Sequence, residues 1–119
     1  MLKDVQMKII REILTVGELQ QMAAGMFGNL IKAVVDVDRQ IIAVDAELHS
    51  DLEALLLEDG SKQQNLWGIN LYPELKGDDF IEFDSMINMR PSQGNRGRGV
   101  DDERTRKRIL DVVAKRVKR

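Results

Sequence analysis

The 119-residue chain has no cysteine, which excludes disulfides, thiol nucleophiles, iron–sulfur clusters and cysteine-ligated zinc. Histidine occurs once, so a histidine-based zinc site would have to draw its other ligands from carboxylates. No apolar run approaches the roughly 18 residues that a membrane-spanning helix needs. Aromatic residues are only 4% of the chain, and none lies after Phe83. Bases therefore have nothing to stack on near the C-terminus. No Walker sequence and no nucleophile-elbow sequence occurs.

What the chain does contain suits one globular domain, residues 1–119. Hydrophobic residues are 43% of the composition, and a chain of this length can bury roughly two-thirds of its unfolded surface. Charge is distributed unevenly. Residues 90–119 carry eleven lysines and arginines against four acids, a balance of +7, which leaves −9 for residues 1–89 out of the total of −2. A field of this kind favours an anionic partner at the C-terminal end, or self-association of basic tail with acidic body. The first residues mix charge with apolar side chains (Lys3, Asp4, Lys8, Arg11), which is not the pattern of a signal peptide. With the lack of cysteine, this gives cytoplasmic as the expected location.

Periodicity and turn residues give an order of elements. A strand is expected over residues 5–14. Thr15 with Glu18 has capping-box form ahead of a helix carrying Leu19, Met22, Ala23 and Met26, which Gly28-Asn29 ends. Residues 30–37 and 41–46 read as a hairpin. Ser50 with Glu53 suggests a second capping box for a short helix ending near Glu58. Residues 66–72 read as a strand, and residues 80–90 as the clearest strand of all. Asp101 is the expected cap of a basic C-terminal helix with Ile109, Val113 and Val117 inward. The fold class is α+β with a mostly antiparallel sheet. Its order also matches a split βαβ, ferredoxin-like arrangement with an added hairpin strand. The expected core is Ile13, Leu19, Met22, Val35, Val44, Leu56, Trp67, Ile69, Ile81, Phe83, Ile87, Ile109 and Val113.

Two stretches, Glu53-Ala54-Leu55-Leu56-Leu57-Glu58-Asp59-Gly60-Ser61 with Asn65-Leu66-Trp67-Gly68-Ile69-Asn70-Leu71-Tyr72-Pro73, and residues 81–96 from Ile81-Glu82-Phe83-Asp84 to Gln93-Gly94-Asn95-Arg96, carry a resemblance. The chain resembles a small bacterial and archaeal family catalogued only as a domain of unknown function. The resemblance covers most of the chain and implies no activity, cofactor or assigned site.

Candidate sites must therefore come from residue chemistry. If Tyr72 pairs with Phe80, then Asn70 faces Glu82 and Gly68 faces Asp84, because antiparallel partners keep a constant index sum. Asn88 and Arg90 extend the row. Glu82 and Asp84, about 7 Å apart on one face, could serve as a catalytic acid–base pair or hold a hard cation. An ordinary solvated sheet face alternates in the same way. The loop carrying Arg90, Arg96 and Arg98 among glycines could clamp an anion. Alternatively those arginines pair with nearby acids. His49, near Asp51 and Glu53, could act as a general base or simply lie beside a helix cap. Asp36, Asp38, Gln40 and Glu47 have calcium-loop offsets, but Ile41 stands where glycine is required, and no metal or other cofactor is expected. The basic C-terminal helix could meet nucleic acid, yet cations at a helix C-terminus also complement its dipole. Three functions remain open: a self-associating interaction domain, a small enzyme or anion-binding protein using Asn70, Glu82, Asp84, Asn88 and the arginine loop, and nucleic-acid binding.

Overall fold

Residues 31–44 and 66–71 are dense in β-branched and other apolar side chains, and they build the centre of the sheet. In the computed structural model, which describes residues 7–119, strands β1 (Lys8–Ile10), β3 (Ile31–Asp36), β4 (Ile41–Val44), β5 (Leu66–Leu71) and β6 (Ile81–Glu82) form one sheet in the order β1-β4-β3-β5-β6. Every neighbouring pair in it is antiparallel. A split βαβ arrangement needs parallel neighbours, and the alternative expectation, a plain antiparallel meander with helices on one face, needs sequential strand order; the sheet is antiparallel as expected but follows neither topology, because β1 pairs with β4. A separate small parallel pair joins β2 (Leu14–Thr15) to β7 (Val117–Lys118). Val5 and Gln6 of the expected first strand lie outside the described residues.

Helices cover both faces of the sheet. On one face Ala33, Val35, Val44, Trp67, Ile69 and Leu71 pack against α1 (Val16–Ala24) and α3 (Glu103–Arg116) through Leu19, Ala23, Ile109, Val112 and Val113. On the other, Val34, Ile41, Ala43 and Leu66 pack against Leu52 and Leu56 of α2 (His49–Glu58). That double cover explains why all six residues of β5 are buried. Ile13, expected in the core, is 53% exposed. The chain bends at residues 11 and 12, between β1 and β2, and Leu14 enters the core instead. Met22, Ile81, Phe83 and Ile87 pack against the core but are only partly buried.

The Thr15–Glu18 capping box forms as expected, with Glu18 N–H donating to Thr15 Oγ1 and Thr15 N–H to Glu18 Oε1, each at 3.1 Å. The helix it opens ends at Ala24, short of Met26, and Gly28, at φ +88°, closes it by donating to the Ala23 carbonyl at 2.6 Å. The expected Ser50–Glu53 box does not form. Helix α2 starts at His49 with Leu48 as its cap, so Ser50 already has helical backbone and cannot adopt the extended cap conformation. Asp102, not Asp101, caps α3, accepting from Thr105 N–H at 3.0 Å. The Asp101 N–H is held by Asn95 Oδ1 at 2.9 Å, which keeps that residue in the preceding loop.

The largest correction concerns residues 80–90. The register at its start is the expected one: Asn70 pairs with Glu82 and Leu71 with Ile81. The strand then stops at Glu82, and a 3-10 turn forms over Met86–Asn88. The alternating pattern misleads because its apolar residues do not share a face. Ile81 and Phe83 pack with the α1/α3 layer, Ile87 with the α2 layer. The chain crosses the edge of the sheet between them, and Ser85, not Asp84, comes to lie over Gly68. A Cβ at Gly68 would meet Ser85 Cβ at 2.5 Å and Oγ at 2.6 Å.

That approach makes Gly68 sterically obligatory. Gly68→Ala is expected to lower unfolding free energy by about 1–3 kcal/mol through overpacking, and the added Ser85→Gly change should recover part of the loss. Urea denaturation of wild type, Gly68→Ala and the double variant checks this. A Gly68→Ala protein as stable as wild type would show that Ser85 does not sit there.

Candidate functional site

Beyond Glu82 no strand among the described residues covers the outer edge of β5, yet Gly68 keeps both its backbone hydrogen bonds. The side-chain amide of Asn88 supplies them. Gly68 N–H donates to Asn88 Oδ1 at 2.8 Å, and Asn88 Nδ2 donates to the Gly68 carbonyl at 3.0 Å. The second Nδ2 proton goes to the Arg98 carbonyl at 3.0 Å. Asn88 is therefore buried, 0% exposed, rather than part of a solvated row. A second buried asparagine fixes the loop beyond it. Asn95 Nδ2 donates to the carbonyls of Asn88 and Gly99 at 2.7 and 2.8 Å. The backbones of Arg90 and Asn95 bridge as an antiparallel pair.

Arg90 is likewise turned inward. Its guanidinium lies 4.1 Å from the Trp67 ring centroid and donates to the carbonyls of Gln63 and Leu66. Burial pulls its pKa below the usual arginine range. The role expected for it as an anion ligand gives way to a structural one, and Asn88 and Arg90 leave the row that the sequence suggested. Arg96 is exposed and makes no hydrogen bond or ion pair among the described residues.

The remaining candidates come together around a cleft of about 300 Å³, bounded by β3, β5, the start of α2 and the crossing segment. Its polar lining is Lys32, His49, Ser50, Asn70, Asp84, Ser85 and Arg98, and Leu48, Met86 and Ile87 add an apolar side. Each has a local cause. Lys32 pairs with Asn70 across β3 and β5, so both face the α2 layer. Arg98 Nε donates to Asp84 Oδ1 at 2.6 Å, and Ser85 N–H donates to the Arg98 carbonyl at 2.9 Å, which anchors the loop over the cleft. Glu82 stands just outside as an acceptor for Asn70 Nδ2 at 2.8 Å and Tyr72 Oη at 2.9 Å. The bond to Glu82 raises the Tyr72 pKa above its ordinary 10.0.

Two groups in this cleft are chemically poised. Asn70 is 7% exposed, and its Oδ1 is buried with no hydrogen-bond partner among the described residues. The orientation is not arbitrary, because exchanging O and N would set the amide oxygen against the Glu82 carboxylate. A buried acceptor without a donor costs about 1–3 kcal/mol. His49 Nε2 lies 2.8 Å from the Ile69 carbonyl. It must donate there, so Nδ1 carries the lone pair. Burial pushes the His49 pKa below its ordinary 6.5, partly opposed by that carbonyl. Ser85 Oγ accepts the Ile87 N–H at 3.3 Å and is not aligned with His49 as a nucleophile–base pair.

As site residues, Lys32, Leu48, Ser50, Met86 and Ile87 were not expected from the sequence, where Ser50 reads as a helix cap and Ile87 as core. Lys32 had a signal: it is the one charge inside the apolar run from residue 30 to 35. Leu48 and Met86 had none, since their exposure follows from their places at the cap of α2 and at the start of the 3-10 turn. Among the described residues no group of three or more His, Asp or Glu side chains could hold a metal ion, and Asp36 Oδ1 instead accepts the Asp38 and Arg39 N–H groups, each at 2.9 Å. A second, larger cleft of about 450 Å³ lies between Gln64, Trp67, Gln93 and the start of α3. No lining side chain there has a buried polar atom without a partner.

Comparison with known proteins adds a family but no activity. A family model described as "Protein of unknown function (DUF5674)" matches residues 8–116, and the chain belongs to that family. No curated protein and no solved structure matches it.

Two outcomes follow from the geometry. Asn88→Leu should lower stability by about 2–4 kcal/mol, because it strips the buried Gly68 amide of both partners; denaturant unfolding measures it, and a loss under about 0.5 kcal/mol would contradict the ladder. For His49, the folded state binds its proton less readily than the unfolded state. Stability should therefore fall as pH drops through about 6.5, then level off once the folded-state ring has titrated. The difference in unfolding free energy between wild type and His49→Gln, followed from pH 8 to 5, should show that step. A pH-independent difference would contradict it.

Proposed function

We propose that this member of the family binds a small molecule bearing an anionic group in the cleft between Lys32, His49, Asn70, Asp84 and Arg98. The observation that carries the reading is Asn70, which lines a cleft that also presents Lys32 and Arg98 and whose Oδ1 is buried with no hydrogen-bond partner among the described residues. A concave site with a few convergent polar groups and an apolar side is the usual form of a ligand site. Its volume, about 300 Å³, lies at the small end of the range for ligand sites. Glu82 serves the site indirectly by fixing Asn70. His49 hydrogen-bonds to a backbone carbonyl and Ser85 to a backbone amide, an arrangement that favours binding over acid–base or nucleophilic catalysis.

Self-association through the acidic body and basic tail has weaker support. Several α3 cations already meet acceptors within the chain: Lys115 Nζ donates to Gln40 Oε1 at 2.6 Å and Arg116 Nε to the Gln40 carbonyl at 2.8 Å. Nucleic-acid binding by α3 would lack aromatic stacking. Among the described residues no helix is long and apolar enough to cross a membrane. The reading treats residues 1–119 as one domain and places it in the cytoplasm.

A thermal-shift screen of phosphate, malate, succinate and the common amino acids tests the site. Ligand at about 100 Kd adds about 2.7 kcal/mol, a shift of several degrees for a chain this size. At least one of these anions should raise Tm in wild type and in Arg96→Ala, but not in Arg98→Gln or Lys32→Gln. No shift with any, or one that survives both substitutions, would overturn the reading.

A further inference from the structure

We infer that the ligand of this cleft is a zwitterion of the α-amino-acid class with an apolar side chain. The inference rests on the anion-binding reading above and narrows its chemistry.

Arg98 meets Asp84 side-on, through Nε and Oδ1 at 2.6 Å. Both terminal nitrogens of Arg98, and Oδ2 of Asp84, have no partner among the described residues. One free donor fork and one free carboxylate oxygen therefore stand side by side. A carboxylate alone would fill the fork and leave the acidic side unmatched. An ammonium alone would do the reverse. A ligand with both charges on neighbouring atoms satisfies the pair without breaking it.

The cleft floor points the same way. Asn70 Oδ1 is an acceptor and calls for a donor. An inorganic anion such as phosphate dianion or sulfate brings chiefly acceptors; an ammonium group brings three protons. Its charge would then lie near Asp84 and the Asn70 oxygen, and the ligand carboxylate near Arg98. The remaining wall suits a hydrocarbon. Leu48 and Met86 are 54% and 64% exposed beside the opening, and large apolar residues standing open next to a cleft gain by covering a ligand side chain. The volume of about 300 Å³ accommodates one amino acid of this kind.

Isothermal titration calorimetry on the full chain decides this. The probes are L-leucine, L-methionine, glycine, N-acetyl-L-leucine, L-leucinamide and inorganic phosphate. L-Leucine or L-methionine should bind, and removal of either charge should weaken binding about tenfold or more, as loss of a charge-assisted contact does. Glycine should bind more weakly than L-leucine, and Met86→Ala, an exposed change that leaves the core intact, should narrow that gap. Arg98→Gln should weaken L-leucine and N-acetyl-L-leucine but leave L-leucinamide little changed. The inference is overturned if N-acetyl-L-leucine or L-leucinamide binds as well as L-leucine. It is also overturned, with the anion site left standing, if phosphate binds through Arg98 and no amino acid does. If no probe binds, the inference fails, and the anion site fails with it only if malate and succinate also give no thermal shift.

Discussion

A side-chain amide that stands in for a β-strand is the constraint on which the rest of this structure depends. Antiparallel pairing beyond Glu82 would have carried the chain straight on and covered β5 with backbone. Instead Asn88 reads Gly68 as a neighbouring strand would, with one donor and one acceptor at 3.0 and 2.8 Å. The backbone between residues 83 and 88 is thereby released from the sheet. It crosses the edge, seats Ser85 over the missing Cβ of Gly68, and delivers Ile87 to the opposite layer. The cleft exists because of that crossing. A regular strand there would fill it.

Electrostatics follow from the same geometry. The released segment brings Asp84 to the cleft mouth, and Asn88 Nδ2 holds the Arg98 carbonyl, so the Arg98 half of the rim ion pair hangs from that buried amide. On the strand side, the β3–β5 register sets Lys32 beside Asn70, and Glu82 orients the Asn70 amide. Charges of both signs thus face one small volume while the sheet behind them stays apolar. Arg90, the most conspicuous arginine of the loop by position, acts away from the cleft. It stacks on Trp67 and ties the loop to the carbonyls of Gln63 and Leu66 at the start of β5.

Much of the fold was legible in the residues, and the failures share a cause. The β3–β4 hairpin, the strand at Leu66, the Thr15–Glu18 box and the Asn70–Glu82 register follow from local pattern, because period, cap chemistry and index sum are local properties. Residues 80–90 failed because alternation reports which residues are apolar, not which layer each one reaches when two layers are available. Ser50 and Asp101 failed because a backbone already committed elsewhere overrides cap preference by one or two positions. Of the site, His49, Asn70, Asp84 and Arg98 were named from their chemistry, and the cleft brings them together. Glu82 supports it from outside, Asn88 and Arg90 are buried scaffolding, and Arg96 lies apart. The buried roles of Asn88 and Arg90 were not legible, since nothing in a sequence states that a backbone edge elsewhere will lack a partner.

The central claim is that the crossing segment and the face of α2 make a ligand site. Amide chemical-shift mapping by NMR, with L-leucine titrated into the full chain, tests it most directly. The account predicts that the perturbed amides cluster at Lys32, His49, Asn70, Arg98 and residues 84–87, with residues 64, 93 and 105 of the larger cleft unmoved. Perturbations centred on Gln64, Gln93 and Thr105 would contradict it.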